Sequence, residues 1–149
     1  MNRFRFRFQS VLRYREVIEE SKKRHFGVAL NHLKHEETRR GQIETSIAQH
    51  EKVREQSAQG KISARDLQNK LNYARQLDNK NKIQKKLVKK AGEVLESKRT
   101  ELVEATKKKK IFDRLKEHER EEYEYEVQKE EQKLSDELSS QNKKNNPGV

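Results

Sequence analysis

The sequence predicts an all-α fold, a long antiparallel two-helix coiled-coil hairpin with unequal arms and a C-terminal helical overhang. Of its 149 residues, 41% are charged and only 30% are apolar, whereas a compact globular domain is nearly half apolar. Pro147 is the one proline in the sequence, and so few helix breakers argue against a β-rich fold. Apolar residues also recur every seven positions over long stretches, which is typical of coiled coils.

The first element is a helix predicted from about residue 8 to about residue 58. Its seam consists of two seven-residue rows, Phe26, Leu33, Ile47 and, three residues on, Ala29, Glu36, Ile43, His50. Val11 and Ile18 occupy a row displaced by one residue, which predicts a heptad discontinuity near Lys22. Because the seam is narrow and interrupted by polar residues, this helix needs a partner helix to be stable.

A turn is predicted over residues 59–62. Gly60 is suited to the left-handed backbone conformation that ends many helices. Ser63 is a good helix cap, and Asp66 three residues later resembles the acidic member of a capping box. The chain is therefore expected to reverse its direction at this point.

The second helix is predicted over residues 63–138, followed by a disordered tail over residues 139–149. Its two rows are Leu67, Ala74, Asn81, Val88, Leu95, Leu102, Lys109 and Leu77, Gln84, Ala91, Lys98, Ala105, Phe112. Polar residues in such a seam, here Asn81 and Gln84, fix the register at some cost in stability. Beyond Leu115 only a loose apolar seam continues.

Folding at Gly60 brings the two helices together in a single hairpin domain over residues 1–149. Residue i then faces approximately residue 121 − i, so that Phe8 is expected near Asp113. About 25 further helical residues, at 1.5 Å rise each, extend past the end of the first helix. This overhang is the acidic part of the chain.

Charge is distributed unevenly along the sequence. The net charge is +11. Residues 61–116 carry 18 basic and 7 acidic side chains, whereas residues 117–138 carry 3 basic and 10 acidic ones. A basic surface implies an acidic partner, which can be nucleic acid, anionic lipid or an acidic protein face. No apolar run approaches the roughly 20 residues that span a bilayer, and the absence of cysteine excludes disulfides and cysteine-ligated zinc.

No pattern for catalysis is visible, and neither enzymatic activity nor a cofactor is predicted. The sequence contains no glycine-rich phosphate loop and no nucleophile with a matching histidine. His32, His35 and Glu36 lie on one side of a helix and could share a metal ion, but solvated polar residues on a helix face are far commoner, and no further ligand is identifiable. No metal site is predicted.

Two other features suggest binding. A basic stripe on one side of the second helix could lie along RNA: Lys82, Lys85, Lys86, Lys89, Lys90. Nucleic-acid binding is the alternative function, although no aromatic residue nearby offers a base-stacking platform. At the amino end, Phe4, Phe6 and Phe8 alternate with arginines, a composition typical of protein interfaces. These rings could instead bind lipid, or cover the second helix near Phe112 and Leu115.

Three segments resemble the flagellar export protein family FliJ. Residues 4–23, FRFRFQSVLRYREVIEESKK, resemble the aromatic and glutamate-rich opening of the family's Gram-positive forms. Residues 60–86, GKISARDLQNKLNYARQLDNKNKIQKK, are similar to its turn and the start of its second helix. Residues 112–139, FDRLKEHEREEYEYEVQKEEQKLSDELS, are similar to its terminal segment. At the turn end the sequence departs from some relatives at His50, Lys80 and Gln84.

The resemblance implies a non-catalytic cytoplasmic component of the flagellar type III export apparatus, peripherally associated with the inner face of the membrane. It implies a stalk-like coiled coil that binds the hexameric export ATPase FliI, promotes its assembly, contacts the export gate protein FlhA and serves export chaperones. The implied ATPase contacts are Phe4, Phe6, Phe8, Leu12, Arg15, Phe112, Leu115 and Tyr123. The implied gate contacts are Ile43, Ile47, His50, Tyr73 and Leu77.

Overall fold

The structure, a computed structural model, describes residues 3–145. It contains helix α1, Gln9–Ser57, of 49 residues, and helix α2, Ala64–Asn145, of 82 residues. No strand occurs within residues 3–145. The predicted all-α class and the unequal lengths of the two helices are confirmed.

The residues group into two compact units. The turn unit comprises Glu20–Glu104, and the terminal unit combines residues 3–19 with residues 105–145. In the turn unit, Lys22 pairs with Glu101 and His50 contacts Tyr73, so α1 and α2 run antiparallel. In the terminal unit the start of α1 likewise contacts α2, through Gln9 with Lys116 and Glu19 with Lys109. The antiparallel helical hairpin is therefore confirmed, whereas the single domain over residues 1–149 stays a prediction.

Burial along α1 follows one uninterrupted seven-residue row. Its members are Leu12, Glu19, Phe26, Leu33, Arg40 and Ile47, all buried or half-buried. The predicted heptad discontinuity near Lys22 is wrong, because the row continues through Glu19, which is only 6% exposed. Glu19 obscured the row in the sequence because it is charged. Lys109 lies opposite it, with 3.6 Å between Nζ and Oε2, and offsets the buried charge.

On α2 the core is a narrow strip of small and medium side chains. On α2 the buried positions are Leu77, Gln84, Ala91 and Ala105, three to six per cent exposed. No side chain within the described part of the chain is less than 2% exposed. The low apolar content of the sequence thus matches one thin seam between two helices.

Helix α2 begins at the predicted cap. The Oγ of Ser63 accepts a hydrogen bond from the backbone N–H of Asp66 at 3.2 Å, and the Ser63 carbonyl accepts one from Leu67 at 3.1 Å. The expected left-handed conformation of Gly60 is not observed, since its φ lies outside the positive range. Instead, the Gly60 N–H donates to the carbonyl of Ser57 at 3.2 Å and tightens the end of α1.

The carboxy-terminal end differs from the prediction. Helix α2 continues to Asn145 rather than ending near Leu138, because no strong helix breaker precedes Pro147. Only residues 146–149 of the predicted tail lie outside the described residues. Phe8 lies against Phe112, one position from the expected Asp113. Every residue from 128 to 142 is exposed, so the helical overhang begins later than expected and also ends later.

Candidate protein-interaction surfaces

An extended arm precedes α1 and packs on α2 through aromatic rings. The rings of Phe4 and Tyr123 lie 5.6 Å apart between centroids, and those of Phe8 and Phe112 lie 6.3 Å apart. Phe6 is only 5% exposed and meets Phe8 edge-on at 6.0 Å. The aromatic residues therefore serve intramolecular docking, which explains why the exposed part of α2 starts beyond Val127.

The same geometry turns the arginines of the arm outward. Successive side chains of an extended segment point to opposite sides. Burial alternates in this way along the arm, where Phe4 and Phe6 are half-buried and buried, whereas Arg3 and Arg5 are exposed. Both arginines border a groove that is closed on the α2 side by Glu119, Glu122 and Glu126. The arm thus presents positive charge beside a strongly acidic stretch of helix.

Polar bridges also hold the terminal unit together. The ammonium of Lys116 donates a 2.9 Å hydrogen bond to the Oε1 of Gln9, in the first turn of α1. Lys109 pairs with Glu19 at 3.6 Å and with Asp113 at 4.0 Å. The Lys116–Gln9 and Lys109–Glu19 contacts join α1 to α2, whereas the Lys109–Asp113 pair lies within α2.

The eight residues implied as ATPase contacts all fall in the terminal unit, but they differ in accessibility. Phe6 and Leu12, 5% and 2% exposed, belong to the core and can influence a partner only by positioning their neighbours. Five others are half-buried: Phe4, Phe8, Arg15, Phe112 and Tyr123. Leu115, 36% exposed, is the most accessible of the eight. These ATPase contacts stay a prediction.

The five residues implied as gate contacts are brought together near the turn end of the turn unit. Ile43, Tyr73 and Leu77 line one open groove of about 530 Å³. Ile47, His50 and Leu77 line a smaller neighbouring cavity of about 140 Å³. Leu77 is buried at the junction of the two, whereas Tyr73 is 47% exposed. The structure thus joins these residues in one surface; their contact with a gate protein stays a prediction.

The groove contains two apolar residues that the sequence analysis did not single out. Ile83 and Leu87 line it and are 60% and 40% exposed. Both lie outside the seven-residue rows of α2, so the seam pattern does not include them. Their spacing of four residues, on a flank of the helix, was an available signal for a second apolar stripe.

A polar cluster lies beneath the same groove. The amide Nε2 of Gln84 donates to the backbone carbonyl of Glu36 at 2.9 Å and also to the Glu36 carboxylate. Both residues are buried, at 5% and 6% exposure. Because a buried carboxylate must be compensated, this pair constrains which residue of α1 faces which residue of α2.

The structure gives the histidines no metal-binding geometry. The carboxylate of Glu36 is engaged by Gln84, and His32 and His35 are exposed on the surface of α1. Among the described residues no group of three or more histidine, aspartate or glutamate side chains is arranged to hold a metal ion.

A family comparison decides which class of protein carries these surfaces. A family model described as "Flagellar FliJ protein" matches residues 4–148, nearly the whole chain. The chain belongs to the FliJ family. It is thus a flagellar export component of a non-catalytic family. Searches of curated proteins and of solved structures return no significant match. Within residues 3–145, neither helix has a stretch long and apolar enough to cross a membrane.

Proposed function

We propose that this FliJ-family chain acts as a stalk-like coiled coil that binds the hexameric export ATPase FliI, promotes its assembly and activity, and links it to the export gate protein FlhA. The observation that carries the proposal is the family match over residues 4–148. The two surfaces described above lie in different units, so each can be assigned to one partner and tested separately.

The terminal unit is assigned to the ATPase. It combines outward-facing arginines, the accessible Leu115 and a helix end that is exposed from residue 128 to residue 142. A surface of charges with few apolar side chains favours many weak, partly screened contacts over one tight hydrophobic interface. Such contacts suit a partner that is held in a ring opening without being locked there.

The ATPase assignment is tested by co-purification of the full chain with the export ATPase and by the ATPase rate with and without it. Leu115→Asp is expected to weaken the complex about tenfold or more, because it places a charge on the apolar part of the surface. Val28→Asp changes an equally aliphatic side chain, 70% exposed, in the turn unit. Equal binding by both variants would contradict the assignment, and no complex and no rate change with the unmodified chain would refute the ATPase role itself.

The groove of the turn unit is assigned to the export gate. Tyr73 stands at its edge with its ring 4.9 Å from that of His50, which holds the phenol in a defined position. Exposed aromatic residues beside an apolar groove are the residue type that dominates binding energy at interfaces. Arg39 and Lys80, also in the lining, favour an acidic partner surface.

The gate assignment is tested by titrating the purified cytoplasmic part of the gate protein with the full chain. Tyr73→Ala is expected to lower the affinity about tenfold or more, the loss typical of an interface anchor. Leu71→Ala is a matched control, since Leu71 is 43% exposed against 47% for Tyr73 and lies outside the groove. A loss shared by both variants, or by neither, would contradict the assignment of this groove.

The finer cellular role follows from the same proposal. The chain works in the cytoplasm at the inner face of the membrane, where the gate is located, and it also serves export chaperones as an escort. Cell fractionation with and without the gate protein tests the location, because membrane association should disappear when the gate is absent. Pull-down of export chaperones by the full chain tests the escort role.

Nucleic-acid binding is the competing function. The five lysines of the basic stripe are all exposed, so they can neutralise phosphates. No aromatic residue occurs from residue 74 to residue 111, which leaves bases nothing to stack on along this stripe. RNA retarded by the chain at physiological salt, and not displaced by the export ATPase, would favour this alternative.

A further inference from the structure

Helix α2 carries two apolar stripes that lie outside the seam with α1. The first, the basic stripe flank, consists of Ile83, Leu87, Lys90 and Val94. Its three apolar members are 60%, 40% and 49% exposed. The second, the overhang stripe, consists of Val127, Glu131, Leu134 and Leu138. Its two leucines are 58% and 62% exposed, and Val127 at its start is half-buried. Exposed aliphatic side chains in helical rows indicate a surface that another helix covers.

The two stripes have the same spacing. In the basic stripe flank the steps are four, three and four residues, and in the overhang stripe they are also four, three and four. This alternation is the repeat by which helices pack knobs into holes. Placed antiparallel, Ile83 faces Leu138, Leu87 faces Leu134, and Val94 faces Val127. All apolar members then meet in one register.

Each stripe has one charged member, and the same register brings the two together. Lys90 of the basic stripe flank falls opposite Glu131 of the overhang stripe, and both are exposed in the single chain. The surroundings are complementary as well, with Lys80 and Lys86 beside one stripe and Glu130 and Glu137 beside the other. A single matched charge pair within an apolar seam specifies register and orientation.

We propose that the overhang stripe of one copy of this chain packs antiparallel on the basic stripe flank of a second copy. Both stripes belong to helix α2, so each copy carries both halves of the contact. Charge selects this arrangement, because two overhang stripes would bring like charges together, whereas an overhang stripe on a basic stripe flank brings unlike ones. Ile83 and Leu87 also line the groove of the turn unit. A second copy that binds the basic stripe flank therefore covers part of this groove.

The contact is tested by sedimentation equilibrium of the full chain over micromolar to near-millimolar concentrations. The unmodified chain is expected to associate reversibly. Lys90→Glu and Glu131→Lys, each alone, place like charges opposite each other and are expected to weaken the association about tenfold or more. The double variant, Lys90→Glu with Glu131→Lys, restores the opposite pair and is expected to recover the original dissociation constant.

A control removes the effect of net charge. Lys85→Glu makes the same charge change as Lys90→Glu at the far edge of the basic stripe. At 100° per residue Lys85 points away from Ile83, Leu87 and Val94, so it is expected to change the dissociation constant less than threefold. Helix content measured by circular dichroism identifies any variant that fails to fold, and Leu134→Ser provides a second disruption at an exposed position. A chain that stays monomeric, equal effects of Lys85→Glu and Lys90→Glu, or failure of the double variant to recover would each overturn the proposal.

Discussion

Lys22 and Glu101 are 79 positions apart in the sequence, yet the Nζ of Lys22 lies 2.7 Å from the Oε2 of Glu101. The other carboxylate oxygen of Glu101 accepts from the Nζ of Lys98 at 3.3 Å. The hydrogen bond from Lys22, and after it the one from Lys98, hold the pKa of Glu101 below its ordinary value. This carboxylate thus joins α1 to α2 while remaining one-third exposed.

The lowered pKa of Glu101 predicts a stability that depends on pH. A carboxylate whose pKa is lower in the folded state stabilises that state above the unfolded pKa of about 4.3, and the stabilisation is lost as the pH falls through the folded pKa. The urea midpoint of the unmodified chain should therefore drop more between about pH 6 and about pH 3 than that of Glu101→Gln. The effect is small, because exposed ion pairs are screened by solvent. Glu104→Gln is the control, and an equal pH response in Glu101→Gln and the unmodified chain would contradict the prediction.

Leu12 is predicted to be a main contributor to the stability of the terminal unit. It is 2% exposed, and truncating a buried leucine to alanine costs about 2–5 kcal/mol. Leu12→Ala is expected to lower the free energy of unfolding by the lower part of that range, about 2–3 kcal/mol, because a thin seam relaxes more easily around a cavity than a broad core does. Val17→Ala, at a position 65% exposed, should cost less than about 0.5 kcal/mol. Urea unfolding followed by circular dichroism compares the two, and similar losses would show that Leu12 is not a core residue.

The Gln84–Glu36 pair is expected to fix the register of α1 against α2 more than to raise the free energy of unfolding. Gln84→Leu removes the donor and leaves the buried carboxylate uncompensated, which should cost about 1–3 kcal/mol. Replacing both residues by leucine should recover most of this loss, because apolar residues of similar volume satisfy the site without buried charge. A double-mutant cycle in urea measures the coupling. If the double variant loses as much as the two single variants added together, the pair is not coupled and the prediction fails.

Gly60 offers a test of the turn. Its φ is not positive, and a Cβ built there lies 3.9 Å from the carbonyl oxygen of Ser57, an ordinary contact. Gly60→Ala is therefore expected to stabilise the fold by about 0.4–1 kcal/mol, through the lower entropy of the unfolded chain. Ser63→Ala should act in the opposite direction and cost about 1 kcal/mol, since it removes the cap of α2. Destabilisation by Gly60→Ala would indicate the left-handed conformation expected from the sequence.

The candidate surfaces were only partly predictable, for reasons visible in particular residues. The groove residues Tyr73 and Leu77 and the arm residue Phe4 were recognised through a family resemblance carried by their neighbours in sequence. Ile83 and Leu87 were not, because apolar residues outside the seam rows look like incidental exposure in a single sequence. The resemblance implies Phe6 and Leu12 as partner contacts, but both side chains are buried within the terminal unit. They contribute to the core of that unit.

The sequence by itself determined the all-α class, the two helices, the cap at Ser63 and the seven-residue rows from Phe26 onward, because each follows from local preference and from the spacing of apolar side chains. The tertiary structure alone decided which charges enter the seam and what each one meets. Glu19 is buried in the row of α1 with Lys109 opposite it, and Glu36, a polar member of the predicted seam, is bound by Gln84. A buried charge is compensated by a residue from the other helix. The spacing of residues along one helix does not show which residue of the other helix lies beside it.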